Sequence, residues 1–330
     1  MVRCESGAVS GKIMYDAPKF IDRGLSVLVE KIRNRESGIV VYGIVPPKQG
    51  TDSDKIAQIA DLQIQRLQGK GIDGLILYDI QDELSRTQEE RPFPFMETLD
   101  SFAYSHEYLS TLSVPKVIYR AVGKYSQEEL SRFLKKISKD KELTVFVGAA
   151  SASQKVTLSV NEAYKLRADI DNDICLGGVV IPERHKTKGD EHLRVFGKMA
   201  EGCSFFVSQG VYDVNASKDF LSDYYYYGKE NNIPLVPIIF TLTPCGSLKT
   251  LQFMKWLGIH IPKWLENDLC HSDDILQKSV HLSAQNWNEL KSFAQEKNIP
   301  IGCNIESVAV RKVEVEASIE LLNRVSKSWQ

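Results

Sequence analysis

Short apolar runs alternate with stretches of helical periodicity along most of the chain, and this alternation predicts the fold. A buried parallel strand is a continuous apolar run, whereas a helix packed on a sheet repeats apolar residues every three to four positions. The eight apolar runs lie at 39–45, 74–80, 116–120, 143–148, the run ending at 181, the run beginning at 205, 236–240 and 301–305. Eight strand–helix units over about 290 residues favour an α/β fold, a closed (β/α)8 TIM barrel, over an open doubly wound sheet.

We predict that residues 38–330 form this single barrel and that residues 1–37 form an N-terminal extension with a helix. Apolar residues at helical spacing between Pro18 and Asn34 indicate that helix. The longest irregular insert, Gln81 to Pro94, follows the second strand. On a barrel it would lie over the C-terminal rim, where active sites sit, but it could equally be a solvated loop without a role.

Composition and charge exclude several classes of function. The formal charge is −2, with 25% charged residues, so no basic field for nucleic acid or an anionic membrane is expected. No apolar run is long enough to span a bilayer, and the first residues lack the apolar core of a secretory signal. Six dispersed cysteines without a CxxC pair indicate free thiols, and we expect a cytoplasmic protein. His185 and His192 are seven positions apart without a further ligand pair, so we expect no metal site.

Residues at the carboxyl ends of barrel strands are the candidates for a ligand site, because these ends meet at one rim. The candidates are Gly43, Asp79, Arg120, Ala149, Ala150, Glu183, His185, Gln209, Thr241, Thr243 and Glu306. Gln209 is the clearest case, since an amide inside an apolar strand needs hydrogen-bonding partners. The alternative is a core glutamine satisfied by neighbouring backbone.

An ordered set of short motifs then suggests a family. The motifs are Pro182-Glu183-x-His185, Lys198, Ser208-Gln209-x-x-Tyr212-Asp213, Pro237-Ile238-Ile239, Pro244, Phe253 and Ile261-Pro262. In this order they resemble the catalytic domain of methylenetetrahydrofolate reductase, a flavin-dependent (β/α)8 barrel. The resemblance covers roughly residues 38–310 and is dense from about 175 to 265.

The resemblance implies a set of residue roles. Gln209 would hydrogen-bond the folate pterin, and Phe253 would stack on the p-aminobenzoate ring or on the nicotinamide nucleotide. His185 and Lys198 would lie along FAD, with Lys198 near its phosphates. NAD(P)H would be the co-substrate. From the residues alone, Phe253 could equally be helix core and Lys198 a solvated helix face.

The chain departs from the family where the chemistry takes place. The family ends its first strand in a glutamate that acts as general acid, and this chain has Gly43 there. The aspartate that contacts pterin and flavin is replaced by Ala149, and two arginines by Val147 and Gly197. The catalytic acid is therefore unknown, with Asp79 and Glu306 as candidates. Because two cationic partners of its phosphates are missing, we expect FAD to bind loosely.

The leading expectation is a methylenetetrahydrofolate reductase-like oxidoreductase that reduces a folate one-carbon substrate, impaired or altered by Gly43. The alternative is a non-catalytic folate- or flavin-binding or accessory protein on the same barrel. A folate-type small molecule is the expected partner, without nucleic acid or membrane. Assembly as a homo-oligomer or as an accessory subunit stays open.

Overall fold

The computed structural model describes residues 27–83, 87, 89–149, 154 and 156–327. Within them, eight parallel strands pair in chain order, and the first strand pairs with the last to close a barrel. The strands are β1 (Ile39–Ile44), β2 (Gly74–Leu77), β3 (Lys116–Ala121), β4 (Glu142–Val147), β5 (Leu176–Val180), β6 (Cys203–Gly210), β7 (Ile238–Leu242) and β8 (Ile301–Glu306). The predicted α/β fold, a (β/α)8 TIM barrel, is confirmed.

The first helix precedes the first strand, and helices that follow the strands cover the outside of the barrel. They are α1 (Val27–Arg33), α2 (Ser53–Leu67), α3 (Ser101–Tyr108), α4 (Gln127–Lys136), α5 (Val160–Ile170), α6 (Pro182–Lys188), α7 (Glu191–Ala200), α8 (Val214–Glu230), α9 (Leu248–Trp256), α10 (Lys263–Cys270), α11 (Ile275–Glu296) and α12 (Lys312–Ser326). Among the described helices, none is long and apolar enough to cross a membrane.

The strand side chains alternate between two apolar layers, and this alternation decides which residues can reach a ligand. Val41 belongs to the cluster inside the barrel. Val40, Tyr42 and Ile44 belong to the cluster between the sheet and the helices. Since successive side chains on a strand point to opposite faces, Gly43 faces the barrel interior.

Helix α1 contributes to the core inside the barrel. Leu28, Val29 and Ile32 are buried in the same cluster as the inward-facing strand residues. Leu28 lies so close to the start of β2 that a Cβ atom on Gly74 would be 2.6 Å from Leu28 Cδ2. The helix predicted for the N-terminal extension therefore shares the barrel's core. The part of that prediction before residue 27 lies outside the described residues.

Side-chain caps fix where several helices begin after the strands. Capping boxes start α4, with Ser126 and Glu129, and α5, with Ser159 and Glu162. Asp213 caps α8. Each cap satisfies backbone N–H groups that have no partner within the helix, so these caps also fix the loops at the carboxyl end of the barrel.

Helix α10 is an addition to the predicted pattern. The helical periodicity of the sequence predicts a long helix from Asp273 to Glu296, and α11 occupies most of it. Helix α10 comes before it and buries Leu265 and Leu269 in a separate small apolar cluster that includes Met254. Eight residues with two buried leucines are too short for periodicity to distinguish a helix from a loop.

Candidate ligand-binding site

The inward-facing strand ends meet at the carboxyl end of the barrel, which we call the mouth. There β1 and β8 place Gly43 and Glu306 as register partners. Partners on adjacent parallel strands point to the same face of a sheet, so Glu306 stands beside a position that has no side chain. The end of β1 thus has no carboxyl group, whereas the end of the neighbouring strand β8 carries that of Glu306.

A polar cluster surrounds these two positions, with Asn304 at its centre. Asn304 Nδ2 lies 2.8 Å from the Tyr78 hydroxyl, 3.1 Å from Thr241 Oγ1 and 3.3 Å from Glu306 Oε2. Asn304 Oδ1 is buried without a hydrogen-bond partner among the described residues. Because buried acceptors are normally paired, this oxygen could accept a hydrogen bond from a ligand.

Tyr78 fills the space that a side chain on Gly43 would need. A Cβ atom on Gly43 would lie 2.8 Å from Tyr78 Cε2, 3.1 Å from the Tyr78 hydroxyl and 3.2 Å from Asn304 Oδ1. The first distance is shorter than real Cβ contacts, so any larger residue would displace the tyrosine ring. Tyr78 and Asn304 therefore fill the space beside Gly43.

Burial at the mouth shifts the pKa of its acidic groups upward. Glu306 keeps part of its surface open, but burial of its carboxyl raises its pKa, while hydrogen bonds from Tyr78 and Asn304 act in the opposite direction. Burial also raises the pKa of Tyr78 and Tyr119 well above the ordinary value, with Glu306 adding to the effect. Burial thus raises the pKa of each of these three acidic groups at the mouth.

Aromatic and aliphatic side chains of the interior cluster adjoin the polar cluster through Tyr78. The Tyr78 and Tyr119 rings meet edge to face with centroids 4.8 Å apart. Val147 and Val179 are partly buried in the same interior cluster. This combination of an apolar wall and a few polar groups is typical of sites for planar organic molecules.

Gln209 and Phe253 are connected through the end of α9. Gln209 Nε2 donates a hydrogen bond to the Leu257 carbonyl at 2.7 Å. The Leu257 backbone N–H in turn donates to the Phe253 carbonyl at 2.9 Å. Gln209 is only partly buried, and its Oε1 has no hydrogen-bond partner among the described residues. The amide nitrogen of Gln209 therefore donates to the backbone, and its oxygen can accept a hydrogen bond from a ligand.

The insert after β2 covers Phe253. The Arg91 guanidinium lies 5.0 Å from the centre of the Phe253 ring and 5.1 Å from that of Trp256. Phe93 contacts Phe253 edge-on at 5.2 Å, and Trp256 Nε1 donates to the Glu89 carbonyl at 3.0 Å. The described part of the insert thus packs on α9, and a ligand ring stacked on Phe253 would have to displace it.

Asp79 and Arg120 point away from the barrel interior. Asp79 accepts hydrogen bonds from Ala121 N (2.8 Å), Lys124 Nζ (2.6 Å) and the Tyr125 hydroxyl (2.8 Å). Arg120 pairs with Asp100 and lies 4.1 Å from the centre of the Phe133 ring. The prediction that Arg120 faces the ligand is wrong, because its neighbour Tyr119 takes the inward position of β3.

Glu183 is a second buried carboxyl group, located at the start of α6. It is 7% exposed, and neither of its carboxylate oxygens has a hydrogen-bond partner among the described residues. Burial raises its pKa to about 8, with smaller contributions from Asp213 and Glu191. Such a group is uncharged over most of the neutral range. The free energy of unfolding therefore depends on pH.

The residues expected along a flavin already have partners within the protein. His185 Nε2 lies 3.0 Å from Asp223 Oδ2, and Lys198 Nζ donates to the Val179 carbonyl at 2.6 Å. Burial lowers the pKa of Lys198. Gly197 offers no charge, and a Cβ atom there would meet nothing within 4 Å.

Three neighbouring cations on α6 and α7 are paired as well. Arg184 and Arg194 both contact Glu191, and Lys186 contacts Asp213. A pyrophosphate needs cations or N–H groups directed at it. These paired residues therefore fit the phosphates of FAD poorly.

The remaining rim positions contribute less. Thr241 Oγ1 donates to the Ser208 carbonyl at 2.6 Å, and Thr243 is fully buried. Ala149 is exposed, and Ala150 lies outside the described residues. The sequence reasoning missed Tyr78 and Asn304, although counting every second residue back from Glu306 reaches Asn304.

Comparison with known proteins agrees with this architecture. A family model described as methylenetetrahydrofolate reductase matches residues 165–295. A solved structure of an uncharacterized protein from Clostridium thermocellum, which binds two copies of 5-methyl-5,6,7,8-tetrahydrofolic acid, is 54% identical. That alignment covers 92% of this chain and 100% of the other, with a TM-score of 0.83.

More distant comparisons add little. The next solved structure, a 2,3-dimethylmalate lyase of the PEP mutase/isocitrate lyase superfamily, is 11% identical over 92% of this chain and 95% of the other. Its TM-score of 0.42 is too low to support an inference. Among curated proteins, none matches the chain.

The fold and the mouth define a (β/α)8 barrel protein with a candidate ligand site at the carboxyl ends of its strands. The chain belongs to the methylenetetrahydrofolate reductase family.

Proposed function

We propose that this protein binds reduced folates at the barrel mouth and does so without a resident flavin. The observation that carries the proposal is the cluster of Glu306, Asn304 and Tyr78 beside Gly43. Support comes from the Clostridium thermocellum protein, 54% identical, which binds two copies of 5-methyltetrahydrofolate. We extend that ligand to this chain and expect it to bind 5-methyltetrahydrofolate.

The chemistry of the mouth suits a pterin. A pterin is planar and carries donors and acceptors along one edge, which a carboxyl, an amide and hydroxyl groups can pair with. Glu306, the Asn304 oxygen and the Gln209 oxygen offer these groups on one side. Tyr119 and Val147 offer an apolar surface on the other side, against which the ring can pack.

The cations of α6 and α7 support the proposal that flavin is not resident. His185 and Lys198 are paired with Asp223 and a backbone carbonyl. Binding of FAD would therefore require breaking these contacts before its phosphates gained partners. A charge-assisted hydrogen bond contributes about 1.5–3 kcal/mol, so two lost partners weaken binding about a hundredfold or more.

The position of Glu306 supports a second candidate function. In it, the protein reduces methylenetetrahydrofolate as other family members do, and Glu306 acts as the acid. Opening the methylene bridge requires a proton on the departing nitrogen, and a carboxyl group with a raised pKa can supply it. Its register with Gly43 puts it next to the family's acid position. In this case, reduction of 5,10-methylenetetrahydrofolate by NAD(P)H with added FAD falls by about 10²- to 10⁴-fold in Glu306→Gln.

Calorimetric titration with 5-methyltetrahydrofolate tests the proposed function. We expect Glu306→Gln to weaken binding by about 10- to 100-fold, because a hydrogen bond to a charged or acidic group is worth about 1.5–3 kcal/mol. Glu316→Gln is the matched control, since Glu316 pairs with Arg66 on the outer surface. Thermal unfolding of both variants separates lost binding from lost folding. Equal affinity in Glu306→Gln and the control would place the folate site elsewhere and contradict the proposal.

A further inference from the structure

Three helices in the outer layer bring two histidines and an aspartate together. His185 lies on α6, His192 on α7 and Asp223 on α8. One ligand atom from each residue lies within 4.8 Å of the other two. The helix α6 ends at Gly189, whose left-handed backbone (φ 67°) turns the chain back into α7 and sets His192 beside His185.

Aromatic rings enclose the cluster. The His185 and His192 rings meet edge to face with centroids 5.2 Å apart. Phe220 stands 6.1 Å from the first ring and Tyr227 stands 5.6 Å from the second. His185 is 6% exposed, so its ring is held in place, whereas the Asp223 side chain is 55% exposed. One ligand is therefore fixed and another is free to adjust.

The hydrogen bonding of the two histidines is incomplete. His185 Nε2 contacts Asp223 Oδ2 at 3.0 Å. The Nδ1 atoms of His185 and His192 are both buried without a hydrogen-bond partner among the described residues. Buried ring nitrogens without a hydrogen-bond partner are unfavourable. A bound cation would remove this cost, because the imidazole nitrogens would act as its ligands.

We propose that His185, His192 and Asp223 form a binding site for a divalent transition-metal ion of the zinc class. Imidazole nitrogen with a carboxylate oxygen is the donor set that zinc, cobalt and nickel accept. Zinc–nitrogen bonds of about 2.0–2.1 Å require ligand atoms about 3.3 Å apart. The half-buried His192 and the exposed Asp223 can close the remaining distance by side-chain rotation.

Three protein ligands leave a fourth position of a tetrahedral ion open to water. The site is distinct from the folate mouth and does not depend on the proposed function.

Titration of the purified, chelator-treated chain with zinc chloride, and separately with cobalt chloride, tests the proposal. We expect one zinc ion per chain with micromolar or tighter affinity, and a visible absorption band of tetrahedral cobalt. His192→Ala and Asp223→Asn should each weaken zinc binding by about 100-fold or more, since even outer partners of metal ligands are worth about 10- to 100-fold.

Asp219→Asn is the matched control, because Asp219 is exposed on the same helix, α8. Circular dichroism verifies that each variant is folded, and the two more accessible ligands are chosen because His185 is buried. Zinc affinity that is the same in His192→Ala, Asp223→Asn and the control would overturn the proposal. So would an absence of zinc binding at micromolar concentrations in the unmodified chain.

Discussion

Gly43 at the end of β1 and Glu306 at the end of β8 are register partners on adjacent strands. The carboxyl group of the mouth therefore comes from the strand beside the one that supplies it in the family. Tyr78 occupies the space next to Gly43 and links to Glu306 through Asn304. The side chains at the mouth are therefore packed around Gly43, and the effects of this packing can be measured.

Gly43→Ala should lower the free energy of unfolding by about 1–3 kcal/mol, because overpacking a filled core forces neighbours to move. The added Cβ atom would lie 2.8 Å from Tyr78 Cε2. Gly197→Ala is the matched control, since nothing lies within 4 Å of its Cβ position on α7. There alanine should stabilise the helix by about 0.5–1 kcal/mol. Denaturant unfolding measures both, and equal effects in the two variants would contradict the described packing around Gly43.

Glu183→Gln should change how stability depends on pH. The pKa of Glu183 is raised to about 8 in the folded chain, above its ordinary value of 4.5. The folded state therefore binds more protons than the unfolded state between these values, and the free energy of unfolding falls as the pH rises from 4.5 towards 8. The slope from this group approaches about 1.4 kcal/mol per pH unit.

Glutamine keeps the shape of Glu183 but cannot ionise, so the variant should lose that part of the slope. Denaturant unfolding of both proteins at several pH values between 5 and 8 gives the difference directly. Parallel curves for the variant and the unmodified chain would mean that Glu183 is not the buried acid described.

Gln209→Ala should weaken binding of 5-methyltetrahydrofolate by about fivefold to tenfold, in line with a net hydrogen-bond contribution of about 1 kcal/mol. The variant also removes the bond from Gln209 Nε2 to the Leu257 carbonyl. Gln209→Glu serves as a second variant, because it keeps an oxygen for the ligand while losing that donor. If both variants bind folate like the unmodified chain, the role assigned to Gln209 is wrong.

The barrel could be predicted from the sequence because its strands are continuous apolar runs followed by helical periodicity. The side-chain directions at the strand ends were harder to predict. Asp79 and Arg120 were chosen as rim residues, but Tyr78 and Tyr119, one position earlier, face the interior. A shift of one residue reverses the face of a strand, and the sequence alone does not fix where the last inward position falls.

The contacts around Gly43 also lay beyond sequence reasoning. Tyr78 and Asn304 are 226 positions apart and meet only through closure of the barrel between β1 and β8. Sequence reasoning identified the missing acid and named Glu306 as a candidate, but not its register with Gly43. Likewise, His185 and Lys198 match a family motif, whereas their partners Asp223 and Val179 depend on helix packing.

Equilibrium dialysis of the purified chain against 5-methyltetrahydrofolate and, in parallel, against FAD distinguishes a folate site from a flavin site. We predict saturable binding of folate, and no stoichiometric FAD at concentrations that saturate flavin-dependent members of the family. Glu306→Gln should reduce folate binding, while Glu316→Gln should not. Tight binding of one FAD per chain, or no saturable folate binding, would contradict the claim that the mouth is a folate site without a resident flavin.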